Sequence, residues 1–408
     1  MTSALVLPLG VAALFTPADV DVLVALRRDI HAHPELALQE HETSRRLADA
    51  LATIPGVDVR RVAGTGLVAR VPGRDRRVPL VAVRGDIDAL PIRERTGLPF
   101  ASEHDGVMHA CGHDVHAAWT VGAARLLARD PAPGDVLIVL QPAEEVGKGA
   151  LAMLASGALD DVACIFGGHV DRRFEVGQAV ADAGPLAASA DTFTIELVGQ
   201  GAHAARPHES ADPIVGAAAV ISALQTIVSR RLNPATPGVV TVGTIHAGTA
   251  PNVIPDRAAL TGTVRAVEPQ SRQMMLDEVR RLAESVAASH RLSARVELEL
   301  GTPPLVNPAR AAAWARSAAA RVIGEDAVVP LGFMNLGGED FAYYLDRMDG
   351  CFLRIGARER GGEATAAHSP RFAPAEEAIF CGAAILAECA REAGTHLARA
   401  MESTSSQG

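Results

Sequence analysis

The sequence predicts an α/β fold that carries a smaller inserted α+β unit. Several short apolar runs have the length of buried parallel strands, and helical segments separate them. Between about Leu186 and Leu300 the predicted order becomes strand, helix, strand, strand, helix, strand, which is the order of a ferredoxin-like unit. The length of 408 residues fits two domains better than one. We therefore predict a larger domain formed by 1–185 and 301–408, with a second domain at 186–300.

Composition and charge narrow the classes of function. Hydrophobic residues make up 48% of the chain and charged residues 21%, which is the balance of a globular protein. The net charge is -10 and the chain has no basic run, which argues against nucleic acid as a partner. No apolar run approaches the length of a membrane span, so we expect no membrane partner either.

The cysteines and the N-terminus bear on the compartment. The chain has five cysteines at irregular spacing, which favours a reduced, cytoplasmic protein over a disulfide framework. Residues 1–15 are apolar but lack a basic start, so we expect a strand or loop there rather than a secretory signal.

The first 71 residues contain two helices and two strands. Thr16 or Asp19 can cap a helix that runs to about His31, and a second helix is predicted at 40–52. Strands are predicted at 57–62 and 67–71. The run Gly64-Thr65-Gly66-Leu67-Val68-Ala69 formally matches a dinucleotide fingerprint. That motif needs a helix directly after the glycines, and here a strand follows, so we predict a turn.

Acidic and histidine side chains follow the predicted strands of the larger domain. The strands at 78–83, 135–140, 162–166 and 351–355 are followed by Asp86 and Asp88, by Glu144 and Glu145, by His169, and by a loop that holds His368. Open α/β sheets bind ligands outside the carboxyl ends of their strands. We therefore expect these side chains to converge on one site.

The segment from His109 to His116 is the most concentrated set of potential ligands. It holds three imidazoles, a thiol and a carboxylate in eight residues, and a helix is predicted from His113 or Asp114 to about Arg129. Counted over the whole chain, the candidate metal ligands are Cys111, His113, Glu145, His169 and His368. Five ligands exceed one tetrahedral zinc site and suit two ions, with Zn, Mn, Co and Ni all compatible with S, N and O donors.

The remaining polar residues near the strand ends have supporting roles in this prediction. One carboxylate of the adjacent pair Glu144 and Glu145 can bind metal while the other acts as general base. Asp86 and Asp88 are expected to orient metal-bound histidines, with direct ligation by one of them as the alternative. His109 and His116 are expected to pack or support.

The inserted domain adds three candidates for substrate contact. His203 could stabilise a developing oxyanion, and Asn252 and Arg265 could bind a substrate carboxylate. The structural alternatives are a turn histidine, an Asx turn and an exposed strand residue, respectively.

The motifs together carry a resemblance to a known family. They follow one another in the family's order: His33-Pro34-Glu35-Leu36, Arg84 to Pro91, Met108 to His116, Gln141 to Glu145, Gly199 to His208, Asn252 to Pro255, Gly338-Glu339-Asp340-Phe341 and His368 to Phe372. The chain resembles the aminoacylase-related metallopeptidases, in the branch of hippurate hydrolases and indoleacetyl-amino-acid hydrolases. The resemblance covers nearly the whole chain.

The resemblance implies a fold, a reaction and roles for particular residues. It implies a mixed-sheet, zinc-peptidase-like catalytic domain with an inserted ferredoxin-like lid that often mediates dimerisation. The reaction would be hydrolysis of an N-acyl amino acid by a metal-bound water. Two divalent ions would be held by the five candidate ligands, with Cys111 as the bridging ligand, Glu144 as general base and His203 as the transition-state histidine.

Two departures and three rival functions accompany this resemblance. Val146-Gly147-Lys148-Gly149 replaces a longer glycine run, and His169 lacks the usual preceding leucine, so the substrate pocket can differ from that of the family. The rivals are a dipeptidase or carboxypeptidase of the same family, a cysteine hydrolase with Cys111 as nucleophile, and a non-catalytic dimeric metal-binding protein.

Overall fold

The structure contains a seven-stranded mixed sheet, a four-stranded sheet and two short two-stranded sheets. It is a computed structural model that describes residues 5–405, with side chains as far as Ser403. The strands are β1 (Asp58–Val62), β2 (Gly66–Val71), β3 (Leu80–Asp86), β4 (Val136–Gln141), β5 (Val162–Glu175), β6 (Ala179–Val180), β7 (Gly184–Ala187), β8 (Asp191–Val198), β9 (Ala202–His203), β10 (Gly238–Ala247), β11 (Val253–Ile254), β12 (Arg257–Ala266), β13 (Ser293–Glu299), β14 (Leu305–Asn307) and β15 (Asp349–Arg358).

Ten α-helices accompany these strands within residues 5–405. They are α1 (Leu9–Ala12), α2 (Pro17–Ala32), α3 (His41–Ala52), α4 (His113–Arg129), α5 (Gly149–Ala155), α6 (Pro213–Thr226), α7 (Pro269–Ser289), α8 (Ala309–Ile323), α9 (Ala342–Leu345) and α10 (Glu377–Ser405). Short 3-10 turns occur at Pro207–Glu209 and Glu325–Ala327, and a π-turn at Ile227–Arg231 follows α6.

The chain divides into two compact units. The first consists of Met1–Gly184, Asn307–Gly332 and Tyr343–Gly408, of which 1–4 and 406–408 lie outside the described residues. The second consists of Pro185–Val306 and Phe333–Ala342. The segment 333–342 thus groups with the second unit, although the sequence prediction placed it in the larger domain.

The first unit is built on the seven-stranded sheet, whose order is β1-β2-β4-β3-β5-β15-β6. The four central strands β4, β3, β5 and β15 are parallel, and the outer strands β1, β2 and β6 pair antiparallel to their neighbours. Apolar residues fill the central strands because both faces of the sheet are covered. This mixed α/β architecture confirms the predicted fold class.

Helices α4 and α10 pack together against this sheet. Trp119 of α4 is completely buried and stacks on His116 with 4.4 Å between the ring centroids. Every residue of α4 from His113 to Ala124 is buried, so the start of this helix is fixed inside the core rather than on the surface.

The second unit has the ferredoxin-like order that the sequence predicted. Its antiparallel sheet is ordered β10-β12-β8-β13, and α6 and α7 pack against each other and against the sheet. Apolar side chains alternate along β8 because one face of the sheet meets the helices: Phe193, Ile195 and Leu197 are buried.

Three sequence-based expectations are wrong in detail. A short helix, α1, replaces the strand or loop expected ahead of α2, while residues 1–4 lie outside the described part of the chain. Strand β5 is 14 residues long, so His169 lies within it rather than after it. The extra length arises because β15 pairs with β5 as far as Glu175.

The third correction concerns the expectation that no run approaches a membrane span. Within residues 5–405 one stretch, Pro213–Arg231, is long and apolar enough by length and composition, with a mean hydropathy of 1.4. Ala217, Val220 and Leu224 on its inner face lie in the core of the second unit. Part of the apolar composition of this stretch is therefore explained by the residues that pack α6 against the sheet of the second unit.

Candidate metal centre and active site

The carboxyl ends of β3 and β4 bring four acidic residues to one edge of the sheet. Asp86 is the last residue of β3 and pairs in register with Gln141, the last residue of β4. Asp88 follows the first strand by two residues, and Glu144 and Glu145 follow the second. Parallel neighbours must end at the same edge, which is why residues distant in sequence meet here.

A glycine shapes the turn that carries Cys111 and His113. Gly112 has φ of 91°, in the left-handed region, and is the N-cap of α4. A Cβ at this position would lie 2.5 Å from Cγ2 of Val170, so a side chain has no room. Glycine thus lets the chain place Cys111 just before the helix and His113 at its first position.

His169 faces the thiol of Cys111 from the neighbouring strand β5. Its Nε2 lies 3.1 Å from Sγ of Cys111. Its Nδ1 donates to the carbonyl of Val170 at 2.7 Å. That hydrogen bond fixes the tautomer in which Nε2 is free to act as a ligand.

His113 is oriented by Asp88, which also holds Glu145. Nδ1 of His113 donates to Oδ1 of Asp88 at 3.1 Å, and the other oxygen of Asp88 accepts the backbone N–H of Glu145 at 3.0 Å. Nε2 of His113 then lies 3.9 Å from a carboxylate oxygen of Glu144 and 3.8 Å from one of Glu145. A carboxylate behind a histidine in this way is typical of metal-binding histidines.

His368 reaches the same site from the loop after β15. It has φ of 65°, and its N–H donates to the carbonyl of Ala110 at 2.8 Å, which ties this loop to the Cys111 turn. Its Nε2 lies 3.4 Å from Oε2 of Glu145, and its side chain is 55% exposed. The hydrogen bond to Glu145 raises the pKa of His368 against the opposing effect of burial.

The candidate ligand atoms form overlapping groups in which all atoms lie within 4.8 Å of one another. Such groups are Cys111 with His113 and His169, Cys111 with Glu145 and His368, and His113 with Glu144 and Glu145. Two of these ligand atoms are buried without a hydrogen-bond partner in the structure of residues 5–405: Nε2 of His113 and Oε1 of Glu145. Unpartnered buried polar atoms are costly, and bound cations would satisfy both of them.

Burial keeps two of these groups uncharged in the protein without a cation. Burial, and then the charge of Glu145, hold the pKa of Cys111 well above its usual range. Burial also holds the pKa of His169 well below its usual range. A neutral thiol is a weaker nucleophile than a thiolate.

Asp86 and His116 support the site from behind. Nδ1 of His116 donates to Oδ1 of Asp86 at 2.6 Å, and Nε2 of His116 accepts the backbone N–H of Val170 at 3.0 Å. This chain of bonds connects β3 to the segment of β5 that carries His169. His109 is also buried, and burial lowers its pKa to about 3.

The substrate-contact candidates lie in the second unit. His203 is in β9, which pairs with β11 in the register His203 to Val253, and the carbonyl of Asn252 accepts the N–H of Ala204 at 3.1 Å. His203 and Asn252 are exposed and come together in this way. Arg265 lies apart from them on β12, and it is half-buried.

Comparison with known proteins decides the family. The model of peptidase family M20/M25/M40 matches residues 82–392. The chain belongs to this family. Membership makes it an enzyme that acts on amide bonds, and the cluster of S, N and O donors fits the divalent metals of the M20 fold.

Individual relatives agree with this assignment. The chain is 40% identical over 372 residues to N-acetyl-L-cysteine deacetylase of Bacillus subtilis, covering 90% of this chain and 87% of that protein. It is 36% identical over 382 residues to IAA-amino acid hydrolase ILR1-like 2 of Arabidopsis thaliana, covering 92% and 86%. The crystal structure of the Bacillus subtilis YXEP protein, a dinuclear metal-binding peptidase of the M20 family, matches with a TM-score of 0.82 and 37% identity. That match covers 92% of this chain and 98% of that one.

Sequence reasoning missed residues that hold these loops from outside the M20 motifs. Arg172 donates to the carbonyl of Glu363 at 2.9 Å and thereby anchors the loop that carries His368. Glu40 accepts the N–H of Ala143, directly before the glutamate pair. Neither residue has a recognisable spacing to the ligands. The only signal in the sequence was a charged residue a few positions from a motif: Glu40 follows His33-Pro34-Glu35-Leu36, and Arg172 follows His169.

Proposed function

We propose that this enzyme hydrolyses N-acyl amino acids, of the N-acetyl, N-benzoyl or indoleacetyl type, to a carboxylic acid and a free amino acid. The observation that carries the proposal is the convergence of Cys111, His113, Glu145, His169 and His368 around two unpartnered buried atoms. The relatives that act on N-acetylcysteine and on IAA-amino acids support the choice of substrate class.

The five residues would hold two divalent ions, with Cys111 as the ligand shared between them. The mixture of one thiolate, three imidazoles and one carboxylate suits Mn, Zn, Co or Ni. When bound, such a pair supplies Lewis acidity that polarises the amide carbonyl and lowers the pKa of water. Asp88 would orient the ligand His113, whereas Asp86 holds His116 and, through it, the backbone of Val170 next to His169.

Glu144 would be the general base. Its carboxylate is largely buried beside His113, at 3.9 Å from Nε2, and it lies next to the proposed ligand Glu145 in the chain. In this role it takes a proton from the attacking water and delivers it to the departing amine. One carboxylate can serve both steps because the tetrahedral intermediate forms and collapses at the same place.

The second unit would supply the groups that recognise the substrate. His203 would donate to the oxyanion that develops on the carbonyl oxygen, and Asn252 and Arg265 would bind the carboxylate of the amino acid. His203 could serve the site of its own chain or that of a partner subunit.

We also propose a cytoplasmic homodimer or higher oligomer that assembles through the second unit. Strand β10 is at the edge of its sheet, so one side of its backbone has no neighbouring strand in the described chain. Exposed edges of this kind pair readily with a second copy. All five cysteines are buried and unpaired, as expected in a reducing compartment.

A substrate screen tests the proposed function. The protein is loaded with Mn²⁺ and incubated with N-acetyl, N-benzoyl and indoleacetyl amino acids and with small dipeptides. We expect release of free amino acid from at least one acyl class. Faster release from dipeptides would indicate a dipeptidase or carboxypeptidase instead. A chain that binds metal but cleaves nothing in the panel would indicate the non-catalytic alternative.

A further inference from the structure

Glu40 is a completely buried carboxylate outside the metal cluster. It lies directly before α3, and both of its oxygens are engaged. Oε1 accepts the backbone N–H groups of Leu38 and Ala143, each at 2.9 Å. Oε2 accepts the hydroxyl of Thr65 at 2.7 Å. One side chain therefore joins the start of α3, the turn before β2 and the loop after β4.

The loop residue that Glu40 holds is in an unfavourable conformation. Ala143 has φ of 53°, in the left-handed region that alanine rarely adopts, and it directly precedes Glu144. Its N–H is held by Glu40 and its carbonyl accepts the N–H of Gly149 at 3.1 Å. A strained backbone of this kind persists only when its neighbours fix it.

The turn that carries Thr65 also packs against this loop. A Cβ on Gly66 would lie 2.6 Å from Sδ of Met153 and 3.1 Å from Cδ of Pro142. The absence of a side chain at Gly66 thus lets β2 approach the residue before Ala143. Packing and hydrogen bonding act on the same two residues, Pro142 and Ala143.

We propose that Glu40 is a positioning residue for the glutamate pair. By holding Ala143 in its left-handed conformation, it aims Glu144 at the reacting water and Glu145 at the metal. The proposal rests on the functions proposed above for these two residues. Glu40 itself touches neither substrate nor metal, and Thr65 orients its carboxylate.

Two substitutions at position 40 distinguish the length of the Glu40 side chain from its charge. A glutamine at position 40 keeps the same length. Its carbonyl oxygen can accept both N–H groups, and its amide can donate to Oγ of Thr65. An aspartate keeps the charge but is shorter by about 1.5 Å and cannot reach Ala143. Burial raises the pKa of Glu40 against the effect of its hydrogen bonds, which fits a role that does not depend on charge.

Glu35 offers a matched control. Its carboxylate accepts the N–H groups of Glu42 and Thr43 at 3.2 and 2.8 Å and the hydroxyl of Thr43 at 2.9 Å. It therefore supports the same helix, α3, through bonds of the same kind. The carboxylate of Glu35 accepts hydrogen bonds from α3, whereas the carboxylate of Glu40 also accepts one from the loop after β4.

The experiment compares Glu40→Asp, Glu40→Gln and Glu35→Asp in metal-loaded protein. We expect Glu40→Asp to lower kcat by about tenfold to a hundredfold with little change in KM, since small misplacements of a catalytic group have effects of this size. Glu40→Gln should stay within about threefold of the wild type, and Glu35→Asp should not lower kcat beyond that range. Should Glu40→Asp fail to fold, Thr65→Val removes only the orienting hydroxyl, and we expect it to lower kcat by roughly threefold to tenfold.

Two results would overturn the proposal. One is a kcat for Glu40→Asp, or for Thr65→Val where Glu40→Asp does not fold, equal to that of the wild type. The other is a loss in Glu40→Gln as large as in Glu40→Asp, which would mean that reach without the charge does not hold Ala143 in place.

Calorimetric titration with Mn²⁺ gives a second reading that needs no turnover. Because Glu145 follows Ala143, we expect Glu40→Asp to weaken Mn²⁺ binding by about tenfold and Glu35→Asp to leave it unchanged. A wild-type chain that cleaves no substrate would overturn the proposed function alone. Unchanged Mn²⁺ affinity in Glu40→Asp would then overturn the role of Glu40 as well.

Discussion

Asp88 orients two of the proposed ligands at once. One of its oxygens accepts from Nδ1 of His113 and the other from the backbone N–H of Glu145. The side chain is nearly completely buried, so water cannot replace either bond. The ring of His113 and the backbone of Glu145 are therefore placed by the same carboxylate.

Asp88→Asn should weaken metal binding without unfolding the protein. An asparagine has one acceptor oxygen, so it can satisfy His113 or Glu145 but not both. We expect the affinity for Mn²⁺ to fall by about tenfold to a hundredfold, as is usual when a carboxylate behind a metal ligand is changed. The measurement is calorimetric titration. The control is Asp105→Asn at an exposed ion pair with Arg93, where affinity should not change.

The sequence predicted the candidate ligands and the orienting residue Asp88, but it did not predict Glu40 or Arg172, which hold the loops of the site. The candidate ligands could be predicted because ligand-type side chains recur near the ends of predicted strands. They include Cys111, His113, Glu145 and His169. Glu40 acts through a backbone hydrogen bond to a residue 103 positions later, and no local pattern encodes such a bond. The left-handed conformation of Ala143 was equally hidden, because alanine does not mark it as glycine would.

Helix α2 shows what a local sequence signal can specify. Thr16 is its N-cap, and a capping box joins the side chains and backbones of Thr16 and Asp19. Asp19 also accepts from Arg125 and Arg129 of α4 at 2.9 Å each. Asp19, in the first turn of α2, therefore also attaches this helix to the helix that carries His113.

The stability contributed by Asp19 should depend on pH. Burial opposes its charged form, but the hydrogen bonds from Arg125 and Thr16 and the charge of Arg129 outweigh burial and lower the pKa of Asp19 to about 2. A carboxyl whose pKa is lower in the folded than in the unfolded state stabilises the protein above the unfolded value. That stabilisation is lost as the pH falls towards the folded value.

Asp19→Asn should therefore lower the free energy of unfolding by roughly 2 kcal/mol at pH 7. At pH 3 about half of that difference should remain, because protonation then favours the unfolded wild type. Denaturant unfolding at several pH values measures this. A difference that stays constant from pH 7 to pH 3 would mean that the charge of Asp19 does not contribute.

The ends of helices and strands were predictable where the local sequence determined them. Strand β8 and helix α4 begin and end close to the predicted residues because alternation, capping residues and glycines all agree. Strand β5 extends well past its apolar run because pairing with β15, not its own composition, determines its length. Helix α1 was missed because a single turn has too few residues for a helical period.

The whole molecule combines a mixed-sheet unit that carries the metal cluster with a ferredoxin-like unit that carries His203, Asn252 and Arg265. The order of elements made both units predictable from sequence. Segment 333–342 was not predictable as part of the second unit, because it follows the first unit's helix α8 in the chain. Its assignment depends on contacts between residues far apart in sequence.

Assembly through β10 can be tested with a charge at its edge. Ile245 lies on this strand and is 49% exposed. Ile245→Asp should convert the proposed oligomer to a monomer, because a carboxylate would be buried without a partner in the interface. Analytical ultracentrifugation measures the mass. Leu151→Asp, at an apolar position 46% exposed in the first unit, should leave it unchanged.

The most direct test of the account is the rate of N-acyl amino acid hydrolysis as Mn²⁺ is returned to chelated protein. We predict no turnover without metal and full turnover near two ions per chain, with Glu144→Ala binding the same two ions but remaining inactive. Full turnover by the chelated chain, or normal turnover by Glu144→Ala, would contradict the central claim that this cluster is a two-metal amidohydrolase centre with Glu144 as its base.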